Sequence, residues 1–199
     1  MGWDRANVVT ADAAEASHSQ AVATLPTIRS AGFFIVEKGT MRMSRLAGVS
    51  MRRARAEDAG AVRDLTRAAY AKWIPVIGRE PKPMTADYGA AVRAHLIDLL
   101  HADGHLAALI EMIHAPDHLL IENVAVSPNF QGRGFGRILM AHAEQVAVSL
   151  GHGEVRLYTN KMFAENVVLY GRLGYLVDRE GTSERGVTVY MTKRLSGRG

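Results

Sequence analysis

The chain of 199 residues contains no cysteine. This excludes disulfides, thiolate metal sites and a cysteine nucleophile, so any acyl chemistry must proceed without a cysteinyl intermediate. It also lacks an apolar run approaching the roughly 18 residues that a membrane helix requires. Asp4 and Glu15 stand where a secretory signal would carry positive charge and then a greasy segment. A cytoplasmic protein with no membrane partner is therefore expected. Aromatic residues make up only 7% of the chain, and no basic stripe is interleaved with them. The first fifty residues hold five basic and four acidic side chains and the remainder 19 and 16, so the net charge of +4 is spread over the chain. A nucleic-acid partner, which needs a clustered basic face with aromatic platforms, is not expected.

Hydrophobic residues account for 48% of the sequence, enough for the core of one domain at this length. Residues 1–50 show no sustained period. Alanine, serine, threonine and acids dominate as far as Thr27, which marks an N-terminal extension with the composition of a disordered segment. The apolar island Phe33 to Val36 has a second reading, a strand docked on the domain. Met41, Met43 and Met51 each stand as a candidate first residue. From Met51 the texture changes, and a single domain over residues 51–199 is expected. Met51 to Ala54 reads as a strand. Glu57 and Asp58 suit a helix N-terminus ahead of Val62, Leu65, Ala69 and Trp73 at helical spacing. Pro75, Gly78, Pro81 and Pro83 break that helix into a loop, and Thr85 with Asp87 can cap a second helix carrying Tyr88, Val92 and Leu96.

Ile97 to Leu100, Leu106 to Ile113 and Leu119 to Val126 follow, separated by Asp103-Gly104 and Pro116-Asp117, as an antiparallel meander. A helical face runs from Phe135 through Ile138, Leu139, His142 and Val146 to Leu150. Val155 to Tyr158 then reads as a buried strand reached by a crossover, which suggests a parallel pair. Val167 to Leu173 forms another helix, and Leu176 to Asp178 and Val187 to Arg194 close the domain with a turn near Gly181. No internal repeat is present.

Gly132, Gly134 and Gly136 lie between a strand and the long helix, where unpaired N–H groups and the helix dipole favour an anion. Glycine permits close backbone approach and positive φ, and Arg133 and Arg137 add charge. An isolated match of this kind is more often an ordinary turn, so its context decides. The dinucleotide fingerprint fails because its third glycine falls on Arg137, and Glu154, about twenty positions on, begins a strand instead of ending one. The nucleoside-triphosphate loop fails for want of a following Gly-Lys-Ser/Thr. The remaining common ligand for such a loop is the pyrophosphate of coenzyme A.

Val124-Ala125-Val126-Ser127-Pro128, then Gln131-Gly132-Arg133-Gly134-Phe135-Gly136, then Asn166 through Leu169-Tyr170-Gly171-Arg172-Leu173-Gly174-Tyr175 together resemble the GNAT superfamily of N-acetyltransferases. The likeness runs in order from about Met51 to Leu195, and three linked motifs are more specific than one glycine loop. Ile77-Gly78-Arg79-Glu80-Pro81 with Met84 and Asp87-Tyr88 resembles a group of bacterial members.

The resemblance implies an α/β (α+β) fold with a mixed, mostly antiparallel sheet of about six to seven strands, about four flanking helices and a splayed parallel strand pair that holds the cofactor. It implies acetyl-CoA as co-substrate, a primary amine of a small molecule or peptide as acceptor, and no metal. A homodimer is left open. Val124, Ala125 and Val126 would offer backbone groups to the acyl carbonyl and pantetheine arm, while Gln131 to Gly136 with Arg137 would hold the pyrophosphate. Tyr170 would be the general acid that protonates the departing thiolate, a task suited to a phenol that stays protonated at neutral pH. Asn166 would contact the pantetheine, with Asn160 as the alternative and one of the two acting only as a cap. Arg79, Met84 and Tyr88 would line the acceptor side.

An ammonium acceptor must lose a proton before attack. Glu122, two residues before Val124 and by strand alternation on its face, could take that proton directly or through water. Tyr158 stands where some relatives carry a glutamate base. The rival reading is a CoA-binding sensor that has lost turnover, against which the presence of both Tyr170 and Glu122 argues. His114-Ala115-Pro116-Asp117-His118 has metal-ligand residue types, but Pro116-Asp117 is equally a hairpin signal and no further ligand motif accompanies it. Ser149 and Ser183 lack a nucleophile elbow.

Overall fold

A computed structural model describes residues 48–195 throughout and the strands β1 (Phe34–Glu37) and β2 (Thr40–Met43) by their backbone. These two pair antiparallel in a sheet of their own. The alternative reading of Phe33 to Val36 as a strand docked on the domain changes, since the strand begins at Phe34 and pairs with β2 instead of a strand of the main sheet, and the rest of residues 1–47 lies outside the described residues. The main body runs β3 (Val49–Arg53), α1 (Ala59–Tyr70), α2 (Ile74–Ile77), α3 (Tyr88–Ala94), β4 (Leu96–Ala102), β5 (His105–His114), β6 (Leu119–Val126), α4 (Phe135–Ser149), β7 (Glu154–Asn160), α5 (Ala164–Arg172), β8 (Leu176–Ser183) and β9 (Gly186–Arg194).

Seven strands form one sheet in the order β3-β4-β5-β6-β7-β9-β8. Every pairing is antiparallel except that of β6 with β7, which α4 connects as a crossover. The mixed, mostly antiparallel architecture is the expected one. Three local readings change. Leu96 opens β4, paired with Met112, instead of closing the preceding helix, because the backbone is already extended at His95. Pro75 sits in the first turn of the short helix α2, where its missing N–H is harmless, instead of breaking a helix into a loop. Gly181 lies within β8, and the last hairpin turns between Ser183 and Gly186.

The sheet carries a core on each face. On one side Leu139, Met140, Ala143 and Val146 of α4 pack on Ile110, Met112, Leu119 and Ile121, with Val167, Tyr170 and Leu173 of α5 alongside. On the other, Val62, Leu65 and Ala69 of α1 and Tyr88 and Ala91 of α3 cover Ile97, Leu99, Leu109 and Ala125. Each fully buried large aliphatic side chain contributes about 1.5–3 kcal/mol.

The buried carboxylate of Asp98 ties three elements together. Arg53 Nε on β3 donates to its Oδ1 at 2.7 Å, and His142 Nε2 on α4 lies 2.8 Å from its Oδ2. Burial alone would raise the Asp98 pKa, but the His142 hydrogen bond and the Arg53 charge outweigh it and hold the carboxyl below the ordinary carboxylate range. Such a group stabilises the fold above its unfolded pKa and loses that contribution as pH falls through its folded value. Asp98→Asn is therefore expected to lower stability by about 1–3 kcal/mol at neutral pH. In urea unfolding, the gap from wild type should close as pH falls below about 3.9.

Candidate active site

Parallel pairing between β6 and β7 covers only Leu119–Ile121 with Val155–Leu157. Beyond that point the strands part. Ser127 keeps its N–H on Ala107 of β5, whereas the carbonyl of Val126 is taken by the Gln131 side-chain amide at 3.1 Å. N–H and C=O of one residue point the same way along an antiparallel strand. Val124 and Val126 thus present their backbone groups to the gap, with the buried Ala125 between them facing α1 and α3.

The strand carries a second irregularity. Glu111 pairs with Asn123 but Met112 with Ile121, so Glu122 is the extra residue of a β-bulge. This inverts the alternation. Ile121, Val124 and Val126 all pack toward α4, while Asn123 and Ala125 face α1 and α3. The expectation that Glu122 shares the face of Val124 by simple period two does not hold. Its Oε1 accepts a hydrogen bond from Tyr158 OH at 2.5 Å, and Lys82 Nζ lies 3.6 Å away, on the α1 side of the sheet. Burial, reinforced by the Glu122 charge, pushes the Tyr158 phenol far above its ordinary value, so it remains a donor.

The gap opens as a cleft of about 190 Å³ lined by Glu122, Val124, Tyr158, Asn166 and Tyr170 together with Arg79. Tyr170 reaches it from α5. Its ring meets Tyr175 edge-on at 6.3 Å, and its hydroxyl has no hydrogen-bond partner among the described residues. Desolvation alone pushes its pKa up to about 12. Both asparagines line the cleft, and the side-chain oxygen of Asn160 accepts the N–H of Met162 at 2.9 Å in the turn before α5. Met84 and Tyr88 do not reach the cleft wall. Both are buried behind it, with the Tyr88 hydroxyl donating to the carbonyl of Pro83 at 2.9 Å.

The glycine loop lies beyond the cleft, at the Val126 end of β6. Gly132 and Gly134 have φ of +76° and +84°, which side chains other than glycine rarely adopt. The N–H groups from Gly132 to Gly136 find no backbone acceptor among the described residues. Gly134 is the N-cap of α4, and Arg133 and Arg137 are exposed beside it. Phe135 is buried and anchors the helix in the core, while Leu169 of α5 lies 4.0 Å from where a Gly136 Cβ would sit. The loop is thus a concave set of free donors at a helix N-terminus, the electrostatics that suit phosphate oxygens. Among the described residues no group of three or more His, Cys, Asp or Glu has the arrangement to hold a metal ion.

The family model for the acetyltransferase (GNAT) family matches residues 61–175, more than half of the chain. The chain belongs to the GNAT family. Streptothricin acetyltransferase of Streptomyces lavendulae is 34% identical over 76 residues, a stretch covering 37% of this chain and 40% of that protein. The chain thus matches less than half the length of this curated relative. The ribosomal-protein-S18-alanine N-acetyltransferase of Escherichia coli superposes with a TM-score of 0.62 at 20% identity, over 76% of this chain and 96% of that one. PaiA N-acetyltransferase of Thermoplasma acidophilum, solved in complex with coenzyme A, gives 0.62 at 17% identity, over 73% and 98%. These structural likenesses show the fold.

Several residues at the site were not singled out in the sequence. Asn123, fully enclosed, accepts from Tyr70 OH at 3.0 Å and donates to Thr66 Oγ1 at 3.3 Å and to Tyr88 OH at 3.2 Å. Phe163 stacks on Trp73 at 4.4 Å and so joins the turn between α1 and α2 to the start of α5. Lys82 and Arg185 line the wall. Only the position of Asn123 in the strand before the glycine loop could have drawn attention. Asn123→Leu would leave the buried Tyr70 hydroxyl without its acceptor, and a loss of about 1–3 kcal/mol is expected in urea unfolding.

Proposed function

We propose that the protein is an acetyl-CoA-dependent N-acetyltransferase in which a primary amine attacks the thioester directly. The observation that carries this reading is the parting of β6 from β7, which leaves Val124 in one cleft with Glu122 and Tyr170 and Val126 just beyond it, toward the glycine loop. Val126 lies four residues beyond Glu122, about 13 Å along a strand. A co-substrate with its phosphates on the Gly132–Gly136 donors and an extended arm along β6 would bring its thioester to the Tyr170 end of the cleft. Arg133 and Arg137 add charge for the phosphates, and Asn166 supplies a polar contact to the arm.

The N–H groups turned into the gap polarise the thioester carbonyl and stabilise negative charge as it develops on oxygen. The amine nitrogen forms its bond to the carbonyl carbon, the carbon–sulfur bond breaks, the thiolate takes the Tyr170 proton, and the proton shed by the new amide nitrogen restores the phenol through water. Glu122, directly or through one water, accepts the proton that the acceptor ammonium loses. A cation already lies near this carboxylate, the Lys82 ammonium at 3.6 Å, which supports the reading of Glu122 as the partner of a cationic amine. Tyr170 in the cleft with an unpartnered hydroxyl supports turnover over a sensor that only holds the cofactor.

Tyr170→Phe should lower kcat by about 100-fold or more, and Glu122→Gln should lower kcat/KM for the amine by a similar factor, in assays of thiol release from acetyl-CoA. Unchanged kcat in Tyr170→Phe would remove it as the acid. Tyr170 donates only while protonated, and its pKa is raised to about 12. The kcat profile should therefore show no alkaline fall through about pH 10. Gly134→Ala introduces no clash but strains a left-handed backbone by about 1–2 kcal/mol. It should weaken CoA binding measured by calorimetry, and equal affinity would move the phosphate site elsewhere.

A further inference from the structure

Three cationic side chains, Arg79, Lys82 and Arg185, line the cleft against one carboxylate, Glu122. Lys82 stands 3.6 Å from that carboxylate, too far for a hydrogen bond, which leaves Glu122 open to an incoming ammonium. Arg79 and Arg185 have no acidic partner within 4.0 Å among the described residues, because Glu80, the neighbour of Arg79 in sequence, is engaged by Arg67 at 2.7 Å. Arg79 spends its hydrogen bonds on carbonyls, reaching that of Glu80 at 3.2 Å and that of Arg185 at 2.5 Å. The second of these pins the backbone of the β8–β9 turn to the loop after α2, and both arginines line the same cleft. Their charges are hydrogen-bonded or solvated but not neutralised. Two guanidinium groups without acidic partners along one cleft set up a positive potential that a bound anion relieves. The planar fork of arginine is matched to a carboxylate.

The cleft is therefore bipolar, with an acid on the sheet and two arginines on the surrounding loop and hairpin. We propose that the acceptor is an amine that also bears a carboxylate, its amino group at Glu122 and its carboxylate at Arg79 and Arg185. This rests on the reading of the cleft as an N-acetyltransferase site. A polycationic amine would meet like charge at the two arginines, and a neutral amine would leave them uncompensated.

The test follows thiol release from acetyl-CoA with a series of ω-amino carboxylates of increasing chain length, each beside its carboxamide and its phosphonate counterpart. At the chain length that fits, the carboxylate should exceed its carboxamide by about 10- to 100-fold in kcat/KM, chiefly through KM. That advantage should vanish in the Arg79→Gln/Arg185→Gln double variant, with KM for acetyl-CoA unchanged. Arg79→Lys, which keeps the charge, should recover part of it, and Arg185→Gln alone, at an exposed turn, reads the effect with little risk to folding. Equal rates for carboxylates and carboxamides, a preference for phosphonates, or a variant that raises KM for acetyl-CoA instead of the acceptor would each overturn the assignment while leaving N-acetyltransfer intact. Turnover of no amine at all would count against the catalytic reading. The anion site would then stand or fall on calorimetric titration of the same carboxylates into the CoA-saturated protein: binding lost in the double variant upholds it, and no binding to the wild type overturns it.

Discussion

The separation of two parallel strands governs the rest of this molecule. A sheet normally satisfies its backbone donors and acceptors strand by strand, and leaving them unpaired inside a protein is unfavourable unless something else uses them. Here β6 and β7 share only three residue pairs before diverging. The divergence is held open by packing on both faces: α4 and α5 support the valines on one side, and α1 and the Asn123 network support the other. The Phe163–Trp73 stack bridges the two layers at the mouth. Every group assigned to chemistry or binding is placed by reference to that opening.

The bulge at Glu122 is the companion device. With one additional residue in β6, the strand changes which side chains look toward which core without breaking its antiparallel ladder with β5. Ile121 and Val124 can then both serve the α4 core, and the acid between them is released to Tyr158 and Lys82. A regular strand would have forced a choice between burying Glu122 in the larger core and withdrawing one of the two aliphatic residues from it.

Much of the architecture was legible because its signals are local. The meander from Leu96 to Val126 follows turn dipeptides and apolar runs, and Asp103 and Gly104, both with positive φ, make the tight turn that their chemistry predicts. The glycine loop could be read because positive φ at Gly132 and Gly134 demands that residue type. The bulge was not legible, since it depends on how β5 and β6 slide past each other and on nothing within β6 alone. The same is true of the Arg79 bond to Arg185, which joins positions 106 residues apart. Met84 and Tyr88 illustrate the converse limit: position in the segment between α2 and the first turn of α3 does not distinguish a side chain that faces the cleft from one that supports the wall from behind.

An opening in a sheet has two sides. The backbone donors of Gly132 to Gly136 and the residues of α5 belong to the α4 layer, whereas Arg79, Lys82 and Glu122 belong to the α1 layer. The slot between β6 and β7 is thus a window through the sheet, and in the proposed reaction two ligands bound from opposite layers would meet in it without passing one another. Such a doorway would let the proposed transfer run directly from one ligand to the other, with no side chain carrying the group between them.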